Sequence, residues 1–301
     1  MKTHTLNGRL IADKEFIECC DDSFDAALSL AAHKVFSGNE KIIGLTGPTC
    51  SGKTTAAKKL KSIVEGMGKR MQVISLDDFF KDEFSKQEID RNTSDADGLD
   101  FDSPDTLDMP LLTQFVHELF SKGRAMKPIF DFKTGTRPEY HEIVRGDDDV
   151  FVFEGIQVLY PEVVKLLGSE GSKTLFVCPQ SSIQIGETVF EPNEIRLLRR
   201  IVRDNNFRDT NANFTMSLWE SVRRNEENNI FPNVDENCIM VDTTQAYEIN
   251  ILRPYLLRNL ADITHDSKNY EKRLEIESKL CGVEDADSAN IRENSLYKEF
   301  V

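Results

Sequence analysis

Residues 47–55 read Gly-Pro-Thr-Cys-Ser-Gly-Lys-Thr-Thr. Glycines at the first and sixth positions let a backbone wrap an anion, with successive N–H groups pointing inward as a nest. The lysine that follows is long enough to reach the β- and γ-phosphates of a nucleoside triphosphate. The hydroxyl after it suits Mg2+. Gly47, Pro48, Thr49, Cys50, Ser51, Gly52, Lys53, Thr54 and Thr55 are therefore candidate contacts to ATP, and Thr54 is also a candidate Mg2+ ligand. Cys50 lies beside Lys53 and an expected helix N-terminus. That setting predicts a reactive thiol that ATP protects, against the plainer reading of an inert small loop residue.

Moving a phosphoryl group requires a base or orienter for the attacking hydroxyl and a carboxylate near the metal. Asp77 and Asp78 follow the apolar run Val73-Ile74-Ser75-Leu76. Glu154 ends Val150-Phe151-Val152-Phe153 and precedes Gly155. Asp77 suits the base and Glu154 the metal side. Asp78 reads as a turn residue, and Asp105 and Asp108 as acids at the start of a helix. Arg196, Arg199, Arg200, Arg203 and Arg208 crowd into 13 positions of a chain whose formal net charge is −15. The first four share one helical face. Such crowding is costly unless an anion compensates, and a triphosphate met by a closing lid would do so.

Strands and helices must place these groups. Lys41–Leu45 is a short apolar run suited to a buried parallel strand, and the loop after it opens a helix near Gly52. Met71–Leu76, Val150–Phe153, Thr174–Val177 and Cys238–Val241 read as further strands. Helices are expected at Ser23–Phe36, Pro104–Phe120, Glu194–Asn206, Phe214–Glu227, Ala246 to about Leu257, and Asn269–Leu280. Alternation of this kind predicts an α/β fold with a parallel sheet covered by helices on both faces. In such sheets, ligands bind beyond the carboxyl ends of the strands. The expected organisation is a helical leader at 1–40, a nucleotide-binding domain at 41–265 with its lid at about 194–232, and a charged extension at 266–301, its last twenty residues frayed.

Taken in order, GPTCSGKTT, SLDDFFKD, FDSPDTLD, PIFDFKTGTRP, VFVFEGI, RLLRRIVRD and ADIT resemble the uridine kinase / phosphoribulokinase family of P-loop kinases. The likeness covers residues 40 to 265 and is nearest the bacterial nucleoside (uridine) kinase branch. The resemblance implies a P-loop NTPase-type sheet with a helical lid, ATP as phosphate donor with Mg2+, and a nucleoside as acceptor. It implies that Asp77 activates the 5′-hydroxyl, Asp102 holds the ribose hydroxyls and Glu154 lies near Mg2+. Arg200 would contact the nucleoside, and Arg203 and Arg208 the phosphates, so that Asp77, Lys53 and Arg203 carry the catalysis. Phe80, Phe130, Phe132 and Arg137 fall on the acceptor side. Phe80 stands where studied uridine-cytidine kinases have Tyr, and Phe130-Asp131-Phe132-Lys133-Thr134-Gly135 lacks their base-reading Tyr and His. Phe130 can stack on a base but cannot hydrogen-bond to it. Thr210 replaces the last lid arginine.

Two other functions compete. A kinase of another small alcohol or of a sugar phosphate needs extra cations on the acceptor side, where Lys133 and Arg137 are available. A nucleotide-dependent switch finds a D-x-x-G match at Asp95–Gly98 but no N-K-x-D. The acidic surface repels nucleic acid. No run approaches the ~20 apolar residues of a membrane span, and no signal-peptide h-region opens the chain, so a cytoplasmic protein is expected. Six cysteines without a C-x-x-C pair suggest neither zinc nor a disulfide framework. Self-association stays open.

Overall fold

A computed structural model describes residues 3–6, 12–36, 38, 40–82, 103–131 and 134–301. Five parallel strands form the central sheet: β2 (Ile42–Thr46), β3 (Arg70–Ser75), β6 (Asp149–Glu154), β7 (Ser172–Cys178) and β10 (Cys238–Asp242), in the spatial order β10-β7-β2-β6-β3. Alternate residues of each inner strand face opposite cores. Ile43, Leu45, Val150, Val152, Leu175 and Val177 join one apolar cluster, whereas Ile42, Phe151, Phe153 and Phe176 join the other. Burial on both faces explains why these strands read as unbroken apolar runs.

Helices α1 (Lys14–Phe36), α2 (Lys53–Gly66), α5 (Pro192–Arg208), α6 (Ala212–Asn225), α7 (Glu248–Leu260) and α8 (Tyr270–Leu280) cover the first face; α3 (Met109–Lys122) and α4 (Pro161–Gly168) cover the second. The expected helix from Pro104 divides. Pro104–Thr106 is a single 3-10 turn, and α3 starts only after Asp108, whose carboxylate accepts from the Leu111 amide at 3.0 Å.

Two segments depart from expectation. The leader is part of the main core: Ile17, Phe24, Leu28, Ala32 and Val35 of α1 are buried in it, and β1 (Thr3–Leu6) pairs in parallel with β8 (Ser182–Ile185). Nor is the chain after α8 frayed. Leu296 is 1% exposed, and Tyr297 and Phe300 are fully buried. Two antiparallel pairs went unread in the sequence, β4 (Arg124–Asp131) with β5 (Thr136–Val144), and β8 with β9 (Thr188–Phe190). Among the described residues, no helix is long and apolar enough to cross a membrane.

Candidate active site

Strand register brings the candidate groups to one edge. Leu45 and Ser75 both pair with Glu154. The loop after β2, the turn after β3 and the end of β6 therefore emerge side by side, at the carboxyl ends of the strands. The loop 47–52 is shaped by its glycines. Gly47 has φ 156°, and a Cβ there would sit 1.9 Å from the Val177 carbonyl oxygen. Gly52 caps α2 with φ 90°. Lys53 folds back across the loop and donates to the carbonyls of Gly47 (3.0 Å) and Pro48 (3.1 Å). Thr54 is exposed in the first turn of α2. Cys50 is 2% exposed, which removes the access that a reactive thiol needs.

Asp77 sits in the 3-10 turn Leu76–Phe79, and its Oδ1 accepts from Gln157 Nε2 at 2.9 Å. Burial raises the Asp77 pKa. The Gln157 hydrogen bond and the charges of Lys53 and Arg208 oppose that rise, while Asp78 adds to it. Burial likewise pushes Glu154 up to about 7, with Lys53 pulling down and Asp77, Glu299 and Asp78 pushing up. Asp78 does more than turn the chain. It pairs with Lys127 and accepts from the Phe130 amide at 3.2 Å, so it ties the Asp77 turn to β4.

The arginines of α5 divide by job. Arg196 and Arg199 are fully buried. Arg196 pairs with Glu226, stacks on Trp219 and donates to the Thr49 carbonyl at 3.0 Å. Arg199 pairs with Glu248 at 2.7 Å and donates to the Cys50 carbonyl at 3.2 Å. Both brace the phosphate loop from behind instead of facing an anion, against the expectation for that helical face. Glu226, in the π-helical turn Glu226–Ile230, also accepts from the Thr49 amide at 3.3 Å. Arg200 (3.2 Å), Arg203 (2.7 Å) and Arg208 (3.7 Å) instead share one carboxylate, Asp204. Burial would raise the Asp204 pKa, but the guanidiniums around it outweigh that and hold it low.

Three cations on one carboxylate leave positive charge unmatched. Arg200 Nη1 and Ser51 Oγ are both buried with no hydrogen-bond partner among the described residues. Orphaned donors beside a glycine-lined loop, with Lys53 across it, fit a polyphosphate. The chemistry of Thr54 and Glu154, a hydroxyl and a carboxylate, fits a hard divalent cation.

On the acceptor side, Phe80 and Phe130 meet edge to face with ring centroids 5.7 Å apart, and Phe80 bridges to Leu107. Arg137 lies near them on β5, but its guanidinium is held by Asp82 (2.9 and 3.0 Å) and Asp108 (2.9 Å). Asp102, Phe132, Lys133 and the Asp95–Gly98 match lie outside the described residues.

Gln157 and Glu226 were not singled out from sequence. A glutamine after Glu-Gly-Ile carries no signature of its own, because its partner Asp77 is 80 positions away. Glu226 reads as the bland ion-pair partner of Arg223, a role it does fill at 2.5 Å; its bond to the loop amide has no local signal.

Residues 42–250 match the model of the phosphoribulokinase / uridine kinase family. Uridine-cytidine kinase B of Dictyostelium discoideum is 33% identical over 163 residues, 54% of this chain and 58% of that protein. The match thus spans less than two thirds of the Dictyostelium protein. The uridine kinase of Brevibacillus brevis is 28% identical over 62% of this chain and 77% of its own length. A solved structure described as a possible uridine kinase from Bacillus stearothermophilus is 16% identical, covers 73% of this chain and 98% of that one, and has a TM-score of 0.46.

Proposed function

Because this chain belongs to the phosphoribulokinase / uridine kinase family, we propose that it transfers the γ-phosphate of ATP to a small-molecule hydroxyl, the 5′-hydroxyl of a nucleoside. The carrying observation is the shared edge of β2, β3 and β6, where the phosphate loop, Asp77 and Glu154 emerge in register.

Asp77 accepts the hydroxyl proton as the oxygen attacks the γ-phosphorus. Gln157 donates to Oδ1 and leaves Oδ2 for the substrate, and its bond opposes the rise that burial imposes on the Asp77 pKa. The loop amides, Lys53, Arg203 and Arg208 supply positive charge to the phosphates, and Arg200 lies on the nucleoside side. Thr54 and Glu154 are the groups that would hold Mg2+, which neutralises charge on the β- and γ-phosphates when bound. Phe130, half-buried and edge to face with the buried Phe80, offers a ring to a flat base, and neither side chain can form a hydrogen bond, which argues for loose base selectivity. A phosphorylated acceptor is less well served, since the charge of Arg137 is already matched by two carboxylates.

The test is ADP release with Mg-ATP and a panel of nucleosides, sugar phosphates and pantothenate, run on the wild type and on Asp77→Asn. Stimulation by nucleosides, lost by at least about a hundredfold in Asp77→Asn with ATP binding intact, is the expected result. Turnover stimulated by none of the panel, or near-normal turnover in the variant, rejects the reading.

A further inference from the structure

The first intrahelical hydrogen bond of α2 runs from the Ala56 amide to the Gly52 carbonyl at 3.0 Å. The amides of Lys53, Thr54 and Thr55 therefore have no acceptor within their own helix. In a phosphate loop, such amides cradle the α- and β-phosphates. The Thr55 amide is already engaged: Glu299 Oε2 lies 3.4 Å from the Thr55 nitrogen and 3.1 Å from its Oγ1.

Glu299 is delivered there by a well-anchored segment. Leu296 lies over Gly52, so closely that a Cβ on that glycine would be 2.4 Å from Leu296 Cδ1. The Tyr297 hydroxyl donates to Glu248, and the Arg199 guanidinium sits over the Tyr297 and Phe300 rings at 5.4 and 5.3 Å. Asn206 on α5 donates to the Phe300 carbonyl at 3.0 Å. Glu299 itself is only half-buried, at the rim. Its backbone is fixed while its side chain can swing. A carboxylate on a hydroxyl and an orphan amide in the first turn of a helix has the charge and the acceptor geometry of a phosphate oxygen.

We propose that Glu299 is an affinity-determining residue of the donor site. Its carboxylate holds the place of an α-phosphate oxygen on Thr55, and the nucleotide binds by displacing it. The inference rests on the reading of 47–55 as the triphosphate site. It runs opposite to a plain capping role, in which losing Glu299 would only loosen the protein.

The experiment titrates wild type and Glu299→Gln with Mg-ADP by calorimetry, measures the KM for ATP of both, and follows their thermal unfolding with and without Mg-ADP. The glutamine keeps the size of the side chain and removes the competing charge. Binding tighter by about three- to tenfold, a matching fall in the KM for ATP, kcat within about twofold, and a larger stabilisation by Mg-ADP are expected. Unchanged or weaker binding in a variant that unfolds cooperatively overturns the proposal and leaves the kinase reading standing. If the wild type itself binds no Mg-ADP, the triphosphate site is rejected and this inference falls with it.

Discussion

Arg196 and Arg199 are fully buried on α5 and discharge onto Glu226 and Glu248, whereas Arg200, Arg203 and Arg208 of the same helix crowd around the single carboxylate of Asp204. The first group meets carbonyls of the phosphate loop; the second keeps a buried nitrogen with no partner among the described residues. One helical face thus holds both a brace and arginines whose charge the fold leaves under-matched. What separates them is how much negative charge the fold supplies to each. Saturated arginines set the shape of the loop, and under-matched ones are those proposed above to meet the phosphates and the nucleoside. Sequence periodicity assigns the first four to the same stripe and cannot make that division.

The division is breakable by experiment. Arg199→Met should have the largest effect, because it strands Glu248 without a counter-charge in the core. We expect a loss of about 3–5 kcal/mol and a fall in Tm on the order of 10 °C, largely restored by adding Glu248→Leu. Thermal unfolding of the single and double variants decides it, and a marginal loss in the single variant would erase the brace. Arg203→Ala should do the reverse, cutting kcat/KM about a hundredfold while Tm shifts by no more than about 3 °C. Steady-state kinetics on protein verified as folded would show a swap of the two outcomes at once.

The acid at the end of β6, beside Lys53, makes the comparison sharper. Glu154 keeps its proton to about pH 7 in the folded chain against an ordinary value near 4.5. Folding therefore binds that proton, and this group lowers stability as pH rises from about 4.5 to about 7. Glu154→Gln should raise Tm by several degrees at pH 8, with the gain shrinking toward pH 5, while Mg2+-dependent turnover is lost. In the wild type, activity should fall below about pH 7 and recover in part with more Mg2+. A variant less stable at pH 8 would contradict the sign. The smallest effect concerns Trp219. It stacks with Arg196 at 5.3 Å, on the braced side, so its emission maximum should barely move when Mg-ATP binds. A large shift would mean that the brace rearranges with the nucleotide.

Where apolar residues are buried on both faces of a strand, the sequence reads plainly. Ile42–Thr46 and Asp149–Glu154 fall within a residue or two of their expected limits, and the groups that matter emerge just beyond them. The β4–β5 pair escaped notice because most of β5 faces solvent and β4 carries Lys127 and Pro128, so no alternation survives. The first half of α1 was masked by Asp21, a buried acid that accepts from the Tyr247 hydroxyl at 2.8 Å and from Ser295 at 3.0 Å. The segment after α8 looked like solvated chain because its anchors Leu296, Tyr297 and Phe300 are few and irregularly spaced; their partners on α2 and α5 are distant in sequence. Among the candidate residues, those named by a local pattern were legible. Gln157, Glu299 and the bond of Glu226 to the loop amide depend on long-range contacts, and composition says nothing of those.

Cys50 adopts φ 57°, a left-handed backbone for a residue that carries a side chain. Holding it there costs about 1–3 kcal/mol unless the surroundings insist, and the guanidinium of Arg199 on its own carbonyl, with Arg196 on the carbonyl before it, does the insisting. The loop is thereby moulded when the chain folds, not when a ligand arrives. A ligand filling the loop would meet a shape already set and give up little backbone freedom in doing so. Relaxing the cast with Cys50→Gly would make a looser mould, in which every binding event must order the loop again.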